Sequence, residues 1–401
     1  MLNLQGSVIK TTRNFCNSMK KIGILTFHRS INYGAFMQAY AFSHMLQKRY
    51  PNHIVEIIDF EYLKKHKSYR KPIRQFPFGA EYYIKYTRFQ KDLKRLTLSP
   101  QSFITETIDQ LSDYINSRYD VVIVGSDAVW TYQGKMPIDN PYWLMGGRLN
   151  SVSKFSYAAS AFSTDFSRIS KEERSFIREQ LSDFSYVGVR DVATQTFIKE
   201  LRLGQEVFLN HDPSLFLEPA EDKNLARKVL RRNFVNSRRP SISFMTRQTE
   251  GINSIRERLH SKYNLLHFNI RDNNRSDFFD TRCRYIFNMS PYEWYNVYAL
   301  MTLNITNFFH GACLALVNHI PTIVIDDSNT NYVSKYAQLM LDMGLEDRLF
   351  YKTKFDIESF MSCVNTCLCN PEEEKYRIIK AIEKERLKSK SFFVALDRVL
   401  L

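Results

Sequence analysis

The chain has 401 residues, of which 44% are hydrophobic and 24% are charged, and it contains 13 Gly, 30 Phe and 23 Tyr. This composition is typical of a globular protein, and the length exceeds what one hydrophobic core usually supports, so we expect two domains. The net charge of +14 favours anionic partners, yet no nucleic-acid motif, dinucleotide-binding glycine motif or P-loop accompanies it.

The N-terminal residues 1–19 lack a continuous apolar stretch, so we interpret them as a flexible leader, with Met19 as a candidate start. No apolar run approaches the ~20 residues that a membrane-spanning helix needs, which favours a cytoplasmic protein with reduced cysteines. Cys363, Cys367 and Cys369 form a cluster without the ligand spacing of a zinc site, and we expect no bound metal.

The first predicted domain, residues 20–217, alternates strands and helices. The run "IGILTF" predicts a buried strand, residues 35–50 have helical spacing, and "HIVEIIDF" predicts the next strand. Later strands are predicted at "YDVVIVG", "KFSYAAS", "YVGVRD" and "EVFL", with helices between them. Residues 61–118 are basic and aromatic, and we interpret them as helices and loops inserted into this domain.

A charged stretch at 218–240 separates this domain from a second one, residues 218–401, in which the pattern restarts. Its strands are predicted at "SISFMT", "NLLHF", "LNIT" and "TIVI", and helices continue to the C-terminus. Apolar strands that alternate with helices indicate parallel sheets covered on both faces. We therefore expect an α/β protein with two domains that face one another.

Ligands of open α/β sheets bind beyond the carboxyl ends of the strands, so polar residues that directly follow strands are the candidates for a site. Arginine binds carboxylate and phosphate groups bidentately, and histidine serves as acid or base near neutral pH, so such a set suits a small anionic substrate. Each residue alone also has an ordinary structural explanation, such as a cap, a turn or a satisfied histidine. The candidates are Asn32, Tyr33, Gly34, Ser126, Asp127, Arg190, Asp212, Arg247, Asn307, His310 and Gly311, with Arg29 beside them.

Six short blocks of the sequence, taken in chain order, resemble the polysaccharide pyruvyl transferase family. The chain reads "NYGAFMQAYA", "GSDAVW", "SYAAS", "VRD", "DPSL" and "TNFFHG", where the family typically shows N-Y-G-A-x-L-Q-A-Y-A, G-S-D-x-x-W, S-Y-A-A-S, V-R-[ED], D-P-[ST]-L and T-D-S-F-H-G. The order of the blocks, from residue 22 to about residue 348, is specific although no single block is. Four positions depart from the family pattern: Met37, Ala128, Asn307 and Phe308 replace the common Leu, Gln, Asp and Ser.

The resemblance implies a GT-B-like fold with two Rossmann-like domains that face a cleft. It also implies an enzyme of capsule or exopolysaccharide biosynthesis that moves pyruvate from phosphoenolpyruvate to a pair of sugar hydroxyls, forming a ketal on a cell-surface polysaccharide or its lipid-linked precursor. Phosphoenolpyruvate is then a donor substrate, and no cofactor is expected. His310 is expected to transfer protons or, alternatively, to bind the donor's phosphate as a cation. Arg190 and Arg247 are expected to bind the donor, and Gly311 to let the backbone approach it.

Two other functions fit the same pattern. A GT-B glycosyltransferase that uses a nucleotide sugar would share the architecture, and Asp326 or Asp327 could bind the ribose of its donor. A degenerate, non-catalytic family member would be compatible with the changes at Asn307 and Phe308. Nucleic-acid binding rests on charge alone, and we expect no nucleic-acid partner.

Basic and aromatic residues alternate within 61–95. One interpretation is a peripheral contact with anionic lipid at the inner face of the membrane, where lipid-linked acceptors are found. The alternative is a solvated helical face, which is what most charge runs are. The residues concerned are Tyr62, Lys64, Lys65, Lys67, Tyr69, Arg70, Lys71, Arg74, Phe76 and Phe78.

Overall fold

The computed structural model describes residues 18–69, 79–132, 134, 140–144, 148–246, 251–270, 280–328 and 333–400. Within these ranges the chain forms two parallel sheets, of seven and six strands, that alternate with helices along the sequence. The predicted α/β class with two Rossmann-like halves is confirmed. Of the predicted leader 1–19, only residues 18 and 19 lie within the described ranges.

The first sheet has the strand order β3-β2-β1-β4-β5-β6-β7, and every pair in it is parallel. Its central strand β4 is fully buried on both faces, as its run of valine and isoleucine predicts. The strands are β1 (Lys21–Leu25), β2 (Ile54–Tyr62), β3 (Leu98–Thr105), β4 (Val121–Val124), β5 (Ser153–Ala159), β6 (Phe184–Val189) and β7 (Val207–Leu209).

The second sheet has the order β10-β9-β8-β11-β12-β13 and is also parallel throughout. The carboxyl ends of its central strands, β8 and β11, lead to the candidate residues near positions 247 and 307. The strands are β8 (Ser241–Met245), β9 (Asn264–Phe268), β10 (Cys283–Ile286), β11 (Met301–Thr306), β12 (Thr322–Asp326) and β13 (Leu349–Tyr351).

Helices connect the strands and cover the sheets. Those of the first half are α1 (Tyr33–Arg49), α2 (Leu63–Ser68), α3 (Gly79–Leu93), α4 (Asp109–Arg118), α5 (Lys171–Ser182) and α6 (Val192–Glu200). Those of the second half are α7 (Lys223–Arg232), α8 (Ile252–His260), α9 (Pro291–Val297), α10 (Phe309–Val317), α11 (Lys335–Asp342), α12 (Ile357–Cys369), α13 (Pro371–Arg386) and α14 (Lys390–Leu400).

Three strands were not predicted, and each lies at an edge of its sheet. Strand β3 falls within 61–118, where the sequence indicated helices and loops, and β10 and β13 form the two edges of the second sheet. Edge strands bury less side-chain surface than central ones, so they lack the continuous apolar run on which the prediction depended. Three of the eight residues of β3, for example, are exposed.

One hydrophobic cluster contains side chains from both halves, and each half has a further cluster of its own. Tyr33 of α1 packs against Trp294 of α9, with ring centroids 6.3 Å apart, and its hydroxyl donates to the carbonyl of Met289 at 2.5 Å. The last helix, α14, returns to the first sheet, where the ring of Phe392 lies 4.8 Å from that of Tyr157. These contacts fix the position of the cleft between the sheets.

Candidate active site

The N-termini of two helices, one from each half, meet at the candidate site. The side chain of Asn32 caps α1 by accepting hydrogen bonds from the N–H groups of Gly34 (3.0 Å) and Ala35 (3.4 Å). Gly34 lies against His310 in the first turn of α10, and a Cβ on Gly34 would be 2.2 Å from Nδ1 of the imidazole. The absence of a side chain at position 34 therefore makes room for His310.

Within the described part of the chain, no side chain caps the start of helix α10. Phe308 occupies the cap position, where the family commonly has serine, and its N–H donates to the hydroxyl of Thr306 at 2.9 Å. The first N–H groups of a helix lack partners within the helix and carry the positive end of its dipole. The start of α10, with His310 in its first turn, is thus suited to receive an anionic group.

One carboxylate oxygen of Asp212 faces both candidate cations. Its Oδ2 accepts a hydrogen bond from Nη1 of Arg190 at 2.9 Å and lies 3.6 Å from Nε2 of His310, an ionic contact longer than a hydrogen bond. The N–H of Ser214 donates to Oδ1 at 2.9 Å and fixes the carboxylate. Nε2 of His310 is itself buried, and among the described residues none forms a hydrogen bond to it.

Asp127 lies on the other side of Arg190. Its backbone adopts a φ of 79°, in the left-handed region that residues with a Cβ rarely occupy, although Asp tolerates it better than most. Its Oδ1 accepts a hydrogen bond from the N–H of Ala128 at 2.9 Å and lies 3.5 Å from Nη2 of Arg190. Asp127 therefore shapes its turn and also contributes a charge to the site.

Charges in the site shift the pKa values of both carboxyl groups in the same direction. Burial by itself would raise the pKa of Asp212, but its interactions with His310, with the guanidinium of Arg190 and with the N–H of Ser214 outweigh burial and lower it. Burial would likewise raise the pKa of Asp127, and Arg190, His310 and Lys335 together lower it. Both groups are therefore held as carboxylates.

The cleft above these residues has a volume of about 610 Å³. The described residues that line it include Lys65 and Lys335, which the sequence analysis did not select as site residues. Nζ of Lys65 lies 4.5 Å from the ring centroid of Phe27, and Nζ of Lys335 lies 4.6 Å from that of Phe162. Lys65 belongs to the basic and aromatic segment 61–95, for which a lipid contact was one of two interpretations. No motif in the sequence pointed to Lys335.

Not every candidate reaches the cleft wall. Asn32, Gly34, Asp127 and His310 line it. The side chains of Tyr33 and Ser126 serve the fold instead, the first as part of the core and the second by donating to the carbonyl of Ala158 at 3.0 Å. Arg190 and Asp212 lie buried beside the cleft, and Asn307 and Gly311 are buried at the start of α10, while Arg247 lies outside the described residues.

The two glycines of the site have different surroundings. Gly311, for which close approach of the backbone to the ligand stays a prediction, is buried in α10, and an added Cβ would meet the hydroxyl of Thr306 at 3.2 Å. A close approach occurs at Gly34, and it is made to His310 rather than to a ligand. A pattern in the sequence cannot reveal this contact because it joins the two halves.

The unusual Asn307 has a specific partner. Its Nδ2 donates to Oδ2 of Asp327 at 3.0 Å, and Asp327 lines the cleft. An aspartate at position 307, as in the family pattern, would place two carboxylates side by side. Asn307 thus fits the acidic residue that stands beside it in this chain.

Two other residues near strand ends are used within the fold. Arg29 forms a bidentate pair with Asp59, with Nε and Nη2 each 2.5 Å from a carboxylate oxygen. Asp326 accepts hydrogen bonds from the backbone N–H of Ser328 at 2.9 Å and from its hydroxyl at 2.6 Å. Of the two acidic residues considered for a nucleotide ribose, Asp327 is therefore the one in the cleft wall.

The described residues contain neither a membrane-spanning helix nor a metal-binding cluster. None of the helices there combines the length and apolar composition required to cross a bilayer. In the same part of the chain, no three or more His, Cys, Asp or Glu side chains converge as ligands of a metal ion.

Comparison with known families gives one match that covers most of the chain. A family model for polysaccharide pyruvyl transferase matches residues 32–329, which include the starts of α1 and α10 and the intervening Asp127, Arg190 and Asp212. No curated protein matches the chain significantly in sequence.

Solved structures show similarity over nearly the whole chain at low sequence identity. The UDP-GlcNAc 2-epimerase from Methanocaldococcus jannaschii is 14% identical, has a TM-score of 0.53, and the similarity covers 91% of this chain and 99% of that one. Another UDP-N-acetylglucosamine 2-epimerase is 10% identical, with a TM-score of 0.54 and coverage of 95% and 97%. At these identities the similarity concerns the fold, which is the expected GT-B-like arrangement.

Proposed function

Because the chain belongs to the polysaccharide pyruvyl transferase family, we propose that it transfers pyruvate from phosphoenolpyruvate to two hydroxyls of one sugar, forming a ketal. The acceptor we propose is a cell-surface polysaccharide or its lipid-linked precursor. The family supports a transferase acting on a polysaccharide, and the specific donor and product are our proposal.

The observation that carries the proposal is the bridge made by Asp212. One oxygen of this carboxylate contacts both Arg190 and His310; the imidazole nitrogen it faces is buried beside it, while His310 lines the cleft. A histidine held by a buried carboxylate at the base of a cleft has the arrangement of a general acid–base group. Asp212 is placed to balance the charge of the ring when the ring carries a proton.

The donor has two anionic ends, and the cleft offers positive groups for both. Lys65 and Lys335 line the wall, and the uncapped start of α10 presents backbone N–H groups beside His310. We propose that these groups bind the carboxylate and phosphate of phosphoenolpyruvate. The aromatic rings of Phe27 and Phe162, which lie next to the lysines, would limit access of water to the bound donor.

In the reaction we propose, His310 donates a proton to the methylene carbon of the donor, which becomes a methyl group. The adjacent carbon becomes electrophilic, and a sugar hydroxyl attacks it while returning a proton to His310. The bond from this carbon to the phosphate oxygen then breaks. The second hydroxyl closes the ring, and its proton leaves with phosphate, so the products are a ketal and inorganic phosphate.

Arg190 has a supporting role in this scheme. Its guanidinium is buried and contacts Asp127 and Asp212, so in this arrangement it holds the two carboxylates that surround His310. Direct contact between Arg190 and the donor, and any contact made by Arg247, remain predictions.

We place the enzyme in the cytoplasm at the inner face of the membrane, where a lipid-linked acceptor would be reached. The described part of segment 61–95, for which a lipid contact was one interpretation, supports this membrane location only through some of its basic residues. Lys64 and Lys67 are exposed, but Lys65 lines the cleft and His66 pairs with Glu61 at 3.0 Å.

The proposal is tested by incubating the purified protein with phosphoenolpyruvate and a panel of polysaccharide repeat units, and measuring phosphate release together with the mass of the glycan. We expect phosphate release that depends on the acceptor and equals the amount of ketal formed. The same panel with nucleotide sugars is the control. Consumption of a nucleotide sugar, without phosphoenolpyruvate turnover, would contradict the proposal.

A further inference from the structure

Helix α7 presents a basic face that the proposed reaction does not use. Ala226 and Val229 are buried on one side of the helix. The exposed side carries four cations, Lys223, Arg227, Lys228 and Arg231, and helical periodicity places them on one half of the helix surface. The helix is thus amphipathic, with its apolar side against the protein and its basic side facing solvent.

The basic character continues beyond the helix. Residues 223–239 contain seven Lys or Arg and no Asp or Glu. A groove of about 680 Å³ lies here, and the described residues that line it include no carboxylate. The nearest acidic residues in sequence, Glu221 and Asp222, precede the helix, and Asp222 caps it by accepting from the N–H of Leu225 at 2.8 Å. The cations that line the groove are Arg227, Lys228, Arg231, Arg238 and Arg239.

Phe234, at the end of this helix, is 81% exposed, the largest value among the large hydrophobic side chains in the described ranges. Its φ is 58°, in the left-handed region, and the N–H of the next residue, Val235, donates to the carbonyl of Leu230 at 3.0 Å. This is the helix-ending turn in which glycine is the usual residue. A bulky side chain at such a position is costly to the fold and gains no burial there.

We propose that the α7 surface, consisting of Lys223, Arg227, Lys228, Arg231, Phe234 and Arg238, docks onto a bilayer that contains anionic lipids. Clustered basic residues are attracted to the negative surface of such a membrane, and an exposed aromatic ring can enter the boundary between headgroups and acyl chains. This combination favours a bilayer over free phosphate or a nucleic-acid duplex, because those ligands would make use of the cations but not of an isolated phenylalanine at the rim.

The position of the α7 surface leaves the cleft accessible. Its groove is bordered by Ser241 and Leu300, at the amino ends of β8 and β11, whereas His310 follows the carboxyl end of β11. A bilayer bound at the α7 surface would therefore contact the end of the sheet opposite the site. This inference extends the membrane contact named under the proposed function, and its purpose, to hold the enzyme near a lipid-linked acceptor, rests on that function.

The test measures partition of the full-length protein onto phosphatidylcholine vesicles with and without phosphatidylglycerol. We expect binding to the anionic vesicles that weakens with salt. A Phe234→Gly variant should bind about tenfold more weakly, since it loses one buried aromatic side chain. Its melting temperature should not fall, because glycine is favoured at this φ, so weaker binding cannot be ascribed to unfolding.

A second set of variants in the vesicle-binding test removes positive charge from the α7 surface. A triple variant with Arg227, Lys228 and Arg231 changed to Gln should lose about a hundredfold in binding, at about fivefold per cation. The matched control changes three exposed lysines of α13, Lys375, Lys380 and Lys384, to Gln, and it should bind as the parent does.

Three results would overturn the inference: no preference for anionic vesicles, equal binding by all variants, or binding to a DNA oligonucleotide that needs the arginines while Phe234→Gly has no effect. Phosphate release with a water-soluble acceptor should be unchanged in the α7 variants. Vesicle binding does not require turnover, so failure of the enzymatic proposal and failure of the membrane proposal give different results.

Discussion

The contact between Gly34 and His310 gives a sharp prediction, because a single methyl group is enough to disturb it. In a Gly34→Ala variant the new Cβ would lie 2.2, 2.5 and 2.7 Å from three atoms of His310, whereas ordinary contacts of a Cβ begin at 3.4 Å. The histidine must therefore move by roughly 1 Å, and a displacement of this size can cost about 10²-fold in rate. Overpacking of this kind typically costs ~1–3 kcal/mol, which the better helix propensity of alanine, up to ~1 kcal/mol, partly offsets.

The assay compares phosphate release from phosphoenolpyruvate, at saturating acceptor, with the free energy of unfolding in urea. We expect Gly34→Ala to lose about two orders of magnitude in kcat and roughly 1–2 kcal/mol of stability. In the double variant with His310→Ala the overlap with the ring is removed, so its loss of stability should be smaller than the sum of the two single losses. Wild-type activity and stability in Gly34→Ala would refute the reasoning.

Three further predictions concern neighbouring groups. Asn307→Asp should lower the melting temperature at neutral pH, because it places a second carboxylate beside that of Asp327, whose Oδ2 now lies 3.0 Å from Nδ2 of Asn307. Adding Asp327→Asn to this variant should restore the melting temperature. An unchanged melting temperature in Asn307→Asp would contradict this prediction. Burial lowers the pKa of His211 from 6.5 to about 4, so the folded chain binds fewer protons than the unfolded chain between these values. The stability that this group contributes is present above pH 6.5 and should decline by roughly 3 kcal/mol as the pH falls to 4. His211→Gln should remove this pH dependence of the free energy of unfolding, measured by urea titration. An equal pH dependence in the parent and the variant would contradict the prediction. Lys65→Met should raise the KM for phosphoenolpyruvate more than it lowers kcat, while Lys64→Met, on the exposed side, should leave both unchanged; equal effects would contradict the role of Lys65.

The parallel sheets could be predicted because their central strands are buried on both faces and therefore appear as continuous apolar runs. The convergence of Asp127, Arg190, Asp212 and His310 could also be anticipated, since each follows the carboxyl end of a predicted strand. The edge strands β3, β10 and β13 lack such runs, and β3 was missed although eight residues long.

Features that depend on contacts between distant segments were beyond the sequence. The role of Gly34 follows from the approach of α1 to α10, and the return of α14 to the first sheet follows from the packing of Phe392 against Tyr157. Lys335 lies in the site because α11 begins beside the cleft, and no motif in the sequence marks it. The bridge by Asp212 also required coordinates, because Asp-Pro in a sequence is typical of a turn.

The central claim is that His310, held by Asp212, transfers protons to and from the substrate. The most direct test is single-turnover phosphate release from phosphoenolpyruvate by the parent protein and by His310→Gln, with donor binding and melting temperature measured in parallel. We predict a loss of at least ~10²-fold in the rate, with an unchanged melting temperature and retained binding of the donor. A rate within a few-fold of the parent, in a folded variant that binds phosphoenolpyruvate, would contradict the account.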